Sequence, residues 1–174
     1  MSTNLPDTGP LFTPFVVNGV TLANRFVMPA MQRGMAADGD PSASLAEVYR
    51  SRVEGGVGLV ISESTAVDHY SANWQPNAVR MEPRTIASWK RVISSVKDAG
   101  GVFFQQLWHP GAMRVPGPDG LPFERQSLSP SGLVRGDMQS GRAMTREDMD
   151  EVLQAYVQAA LTAKGLGADG VEVH

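Results

Sequence analysis

Four short apolar runs alternate with three amphipathic stretches, and this order limits the fold more than any other feature of the chain. The runs are "RFVMPAM" (25–31), "VGLVISEST" (57–65), "VFFQQLW" (102–108) and "GVEVH" (170–174). Between the first two, Leu45, Val48, Tyr49 and Val53 fall on one helical face, with Ser42 or Ser44 as cap and Gly55-Gly56 as stop. Next come Ile86, Trp89, Val92, Ile93 and Val96, closed by Gly100-Gly101. A third helix is predicted after the N-cap Thr145. Its expected buried face is Met149, Val152, Leu153, Tyr156, Val157, Ala160 and Leu161. Near-continuous apolar strands separated by amphipathic helices predict a parallel α/β sheet covered by helices.

Two closures are open to such a sheet: a doubly wound layer, or part of an eight-stranded barrel. "FVVNGVTL" predicts a hairpin turning at Asn18-Gly19, which would suit a plug beneath a barrel. A complete barrel needs about 200 residues or more. Four strands in 174 residues therefore read as half of one, and the stop on a strand at His174 predicts a piece of a longer chain. The first ten residues are expected to form a flexible tail, with the half-barrel over 11–174.

In either closure, chemistry collects at the C-terminal ends of the strands. Those ends read "PAMQ", "SEST", "QQLWH" and "H". Strand alternation puts Phe104, Gln106 and Trp108 on one face of the third run, Glu172 and His174 on one face of the fourth, and Ser62 with Ser64 on one face of the second, so a Gln, a Trp, a Ser and a His are expected to converge on one mouth. An amide can pair with the edge of a heteroaromatic ring as donor and acceptor together. A small residue lets a flat ring approach the backbone, and an imidazole can polarise a carbonyl or phenolic oxygen. Each residue also has a plainer reading. Gln106 could satisfy a buried backbone group, Trp108 could be core, Ser64 alone carries little signal, and His174 could be structural. His109 could simply cap the loop it opens. The Pro- and Gly-rich stretch from His109 to Met144 is too long for an idle connection and is expected to fold over the strand C-termini.

Other chemistries find no support. The chain has no cysteine, so disulfides and thiolate metal sites are out, and its three histidines lack metal-ligand spacing. "GVGLVI" precedes a strand, where a dinucleotide fingerprint should follow one. A net charge of −3 with no basic run argues against nucleic acid or anionic membranes. The N-terminus has no signal-peptide pattern and no apolar run reaches membrane-spanning length, so a cytoplasmic protein is expected.

"LFTPFVVNGVTLANRFVMPAMQR", "GGVGLVISEST", "GGVFFQQLWHPG", "LSPSGL", "GRAMT" and "GADGVEVH", in this order, resemble the old yellow enzyme family of NADH:flavin oxidoreductases. The resemblance runs from Leu11 to the end. It implies a (β/α)8 barrel with FMN at its mouth, reduced by NADH or NADPH, and a small electrophilic alkene, such as an enone, as substrate. By resemblance, Ala30, Met31 and Gln32 line the flavin, Ser64 and Gln106 meet its pyrimidine edge, and Trp108 shapes the substrate pocket. His174 is the first member of the family's substrate-binding pair. Gln32 stands where the family often has Thr or Cys, and Ala112 where Arg is common. The second pair member, the tyrosine proton donor and the phosphate-binding residues would all follow His174. The 174 residues alone are therefore expected to bind FMN weakly or not at all, and to be inactive. The alternatives are a dienoyl-CoA reductase or amine dehydrogenase on the same barrel, or a non-catalytic half-barrel. Open sheet edges would let such a half pair with another copy or with the missing half.

Overall fold

The computed structural model describes residues 6–73, 77–114 and 126–174. A hairpin opens the fold: β1 (Phe15–Val17) and β2 (Val20–Leu22) pair antiparallel around Asn18 and Gly19, both at positive φ. This is the predicted Asn-Gly turn. Residues 1–5 of the expected tail lie outside the described residues; its end is a 3-10 turn, Gly9–Phe12, tied down by Arg25, whose Nε donates to the Pro10 carbonyl at 3.0 Å.

β3 (Val27–Met28) begins the main sheet. A small hairpin, β4 (Ala36–Ala37) with β5 (Asp40–Pro41), leads into α1 (Ala43–Glu54). The Ser42 hydroxyl caps α1 by accepting from the Leu45 N–H. β6 (Leu59–Ile61), β7 (Thr65–Val67) and β8 (Arg80–Met81) precede α2 (Ile86–Asp98) and β9 (Phe103–Trp108). β10 (Leu128–Ser129), β11 (Leu133–Arg135), β12 (Met138–Gln139) and β13 (Arg142–Ala143) fall in the long connection. α3 (Arg146–Leu166) and β14 (Gly170–Val173) complete the order.

β3, β6, β9 and β14 lie side by side in chain order, all parallel. β7 also pairs with β9, and β8 with β7. The core lies between one face of this sheet and the helices. Tyr49, Trp89, Val92, Ile93, Val60, Phe103 and Leu107 are all at most 1% exposed within it. Odd-numbered residues of β9 face this core, so the even-numbered Phe104, Gln106 and Trp108 face the other way. Gly170 makes room there: a Cβ on it would stand 2.7 Å from the Phe104 ring.

Three expectations change. The expected buried face of α3 is only partly buried: Met149, Leu153, Val157 and Leu161 are exposed, and Asp148, Ala159 and Ala163 are buried instead. The helix carries apolar residues around more than half its girth, and the narrow small-residue stripe packs against the sheet. The connection from His109 to Met144 contains a parallel pair, β10 with β13, and a hairpin, β11 with β12. Its first turn joins the strand ends: the Arg114 Nε donates to the Asn73 carbonyl at 2.6 Å. Residues 115–125 of that connection lie outside the described residues. The third change is at Ser62. Val60 stands beside Phe103, yet Thr65 stands beside Leu107. One extra residue is therefore accommodated between β6 and β7, as in a β-bulge. Ser62 and Ser64 consequently do not share a face.

Candidate active site

The bulge sorts the serines between two layers. The Ser62 hydroxyl is fully buried and accepts from the Gln105 Nε2 and from the Gln106 N–H, both at 2.9 Å. Gln105 also donates to Thr65. This network stitches the second and third strand positions on the core side. Ser64 turns the other way, and its hydroxyl donates to the Gln106 Oε1.

Gln106 is 4% exposed, and its Nε2 donates to the Glu172 carboxylate. Register explains the contact, because Glu172 sits beside Gln106 on the neighbouring parallel strand. Ser64, Gln106 and Glu172 thus form one polar line across the inner face. The amide orientation follows from this line: oxygen toward the hydroxyl, nitrogen toward the carboxylate.

Ala30, Met31 and Gln32 follow β3 at the same end. Met31 is 45% exposed, and the Gln32 Nε2 donates to the Ser64 carbonyl at 3.1 Å. Arg33 continues the stitching, its N–H donating to the Glu63 Oε2 at 3.3 Å. Glu63 is fully buried beside Tyr49, whose hydroxyl accepts the Glu63 N–H at 2.8 Å. Burial pushes the Glu63 carboxyl up to about 7, against the opposing pull of Arg33. Among the described residues its Oε1 has no hydrogen-bond partner. Sequence reasoning missed this carboxylate, because the strand reading made "SEST" a plain alternation.

Trp108 ends β9 at 9% exposure on the inner face. His174 follows β14 and is exposed. Its N–H donates to the Leu107 carbonyl at 2.9 Å. Its carbonyl accepts from the His109 N–H at 3.3 Å and from the Tyr156 hydroxyl at 2.6 Å. Every residue expected at the mouth therefore lies at a strand C-terminus, with Ser64, Gln106 and Trp108 on its inner side. Among the described residues no three His, Cys, Asp or Glu side chains gather as a metal site would need.

The donor set suits a flat heteroaromatic ring: an amide on the inner wall, a small hydroxyl beside it, and an exposed backbone segment at 30–32. Residues 10–174 match the sequence profile of the NADH:flavin oxidoreductase / NADH oxidase family. A 12-oxophytodienoate reductase 7 from Oryza sativa subsp. japonica is 32% identical, over 95% of this chain and 44% of that protein. The old yellow enzyme homologue from Zymomonas mobilis superimposes with a TM-score of 0.81 at 31% identity, over 94% of this chain and 48% of that one. Morphinone reductase in complex with tetrahydroNAD gives 0.83 at 27% identity, again over 94% and 48%. The chain thus spans about half the length of these relatives, and its parallel sheet corresponds to part of their (β/α)8 barrel.

Proposed function

The chain belongs to the NADH:flavin oxidoreductase / NADH oxidase family, and from that premise we propose that it serves FMN-dependent reduction of activated C=C bonds, with NADH or NADPH as reductant. The observation that carries this reading is the Ser64–Gln106–Glu172 line at the mouth. It presents an oriented amide beside a small residue, as recognition of a flavin's polar edge requires.

In this reading Ala30, Met31 and Gln32 hold one side of the FMN ring through backbone, and Ser64 and Gln106 hold its pyrimidine edge. The bound flavin supplies the hydride chemistry. Trp108 walls the substrate pocket with an apolar surface. The His174 imidazole donates to the oxygen of a carbonyl or phenolic ligand and stabilises negative charge building there. Glu172 fixes Gln106 from below and keeps its oxygen turned toward Ser64. The substrate class is an enone or a related electrophilic alkene, and pairing with another copy or with further barrel elements is compatible with the open edge at β14.

The test is the visible spectrum of the protein purified from its own gene. Flavin bands bleached by NADH or NADPH without oxygen, and restored by an enone, are expected. Gln106→Leu should weaken FMN binding at least about tenfold, the cost of one good hydrogen bond to a desolvated partner. With the second half of the barrel also present, a colourless protein that takes up no FMN would overturn the reading.

A further inference from the structure

Behind Trp108 and His174 lies a row of polar side chains, buried at Ser71 and partly buried at its two histidines, that the proposed reaction does not use. The His109 Nε2 stands 2.7 Å from the Ser71 Oγ, and the same Oγ stands 2.7 Å from the His69 Nδ1. The His69 Nε2 lies 3.6 Å from the Glu151 carboxylate of α3. Ser71 is fully buried, which rules it out as a nucleophile despite its two imidazole neighbours.

The direction of the row is set at both ends by backbone donors. The Gly111 N–H donates to the His109 Nδ1 at 3.0 Å, so that nitrogen carries no proton and the Nε2 does. His109 therefore donates to the Ser71 Oγ. The Ser71 N–H donates to the His69 Nδ1 at 3.3 Å, so that nitrogen is also an acceptor, and the Ser71 hydroxyl proton points to it. The His109 ring proton and the Ser71 hydroxyl proton then each have one place to go.

We propose that His109 is a positioning residue of the mouth: a neutral imidazole, protonated on Nε2, that anchors a one-way strap through Ser71 to His69 and so fixes the backbone that carries His174. The link to His174 is direct, since the His109 N–H donates to the His174 carbonyl while Tyr156 holds that oxygen from α3. The strap joins the loop after β7 to the loop after β9, so both mouth loops move together or not at all. The charged groups facing His109 fit the neutral form. Burial, His69 and Arg114 lower its value from 6.5 to about 4. The inference rests on the proposed function only for what His174 binds.

The experiment is long-range proton–nitrogen spectroscopy of the histidine rings, of which the chain has three. His109 should show the Nε2–H tautomer and stay neutral down to about pH 5. Ser71→Ala should shift the ring signals of both His69 and His109 and move the His174 amide. His109→Leu should move that amide further. It should also slow enone turnover by up to about 10²-fold, the cost of a displacement near 1 Å. His109→Gln, which keeps a donor at the same reach, should recover most of both effects. An Nδ1–H tautomer, ordinary titration near 6.5, or a His174 amide unmoved in Ser71→Ala overturns the proposal. If His109→Leu fails to fold, Ser71→Ala decides, because it removes a single oxygen. A protein without flavin would sink the function above and leave the tautomer result standing.

Discussion

At the scale of single residues, position on the inner face decides role. Phe104, Gln106 and Glu172 were placed correctly by alternation alone, because β9 and β14 are regular and in register. Glu172 needed a partner, as any carboxylate on an inner wall does, and Gln106 supplies it. Ser62 was misplaced because a period of two cannot reveal an inserted residue. His174 carries the sharpest test of the proposed reaction. A donor that strengthens only as charge builds on substrate should matter in one half-reaction and not the other. His174→Ala is expected to slow flavin oxidation by an enone about 10²–10³-fold. Flavin reduction by NADH or NADPH should change far less, and stopped-flow on the two steps separates them. Equal slowing of both would make His174 a structural residue.

At the scale of elements, α1 and α3 begin where their caps say. Thr145 and Asp148 form a capping box on α3, each side chain accepting from the other's backbone N–H. Asp148 also takes both guanidinium nitrogens of Arg142, which hold its carboxyl well below the usual carboxylate range. Thr145→Ala should cost about 1 kcal/mol in urea unfolding, and Thr145→Ser much less. Existence and order of the strands were readable because apolar runs and helical stripes differ in period. The burial of α3 was not. Periodicity locates an apolar face but cannot tell which part of a broad one meets the sheet, and here Ala159 and Ala163 win because small side chains allow close approach. The short strands inside the 109–144 connection escaped notice for another reason: two-residue pairings leave too few positions to show a pattern.

At the scale of the whole molecule, two buried groups pull the pH dependence of stability in opposite directions. Glu63 has a folded value near 7 against an ordinary 4.5. Its contribution is complete below about pH 4.5 and is lost as the pH rises through about 7. His109 is the reverse, near 4 against 6.5. Its contribution is complete above about pH 6.5 and is lost as the pH falls through about 4. The windows nearly coincide, so the unmodified chain should show a flat profile between them. Glu63→Gln should unmask a rise in stability with pH, and His109→Gln a fall, each on the order of 3 kcal/mol across the window. Parallel slopes in the two variants would refute the opposition. The exposed row on α3 has a different consequence, and it is colloidal. Val157 and Leu161 flank a groove that continues to Val171 of β14, Leu153 is exposed one turn before them, and a net charge of −3 offers little mutual repulsion. Concentrated solutions of the 174-residue chain should therefore cloud on standing, and light scattering should rise with concentration. Leu153→Glu with Leu161→Glu should keep such solutions clear without touching the mouth, so handling conditions for this chain are dictated by its flank and not by its chemistry.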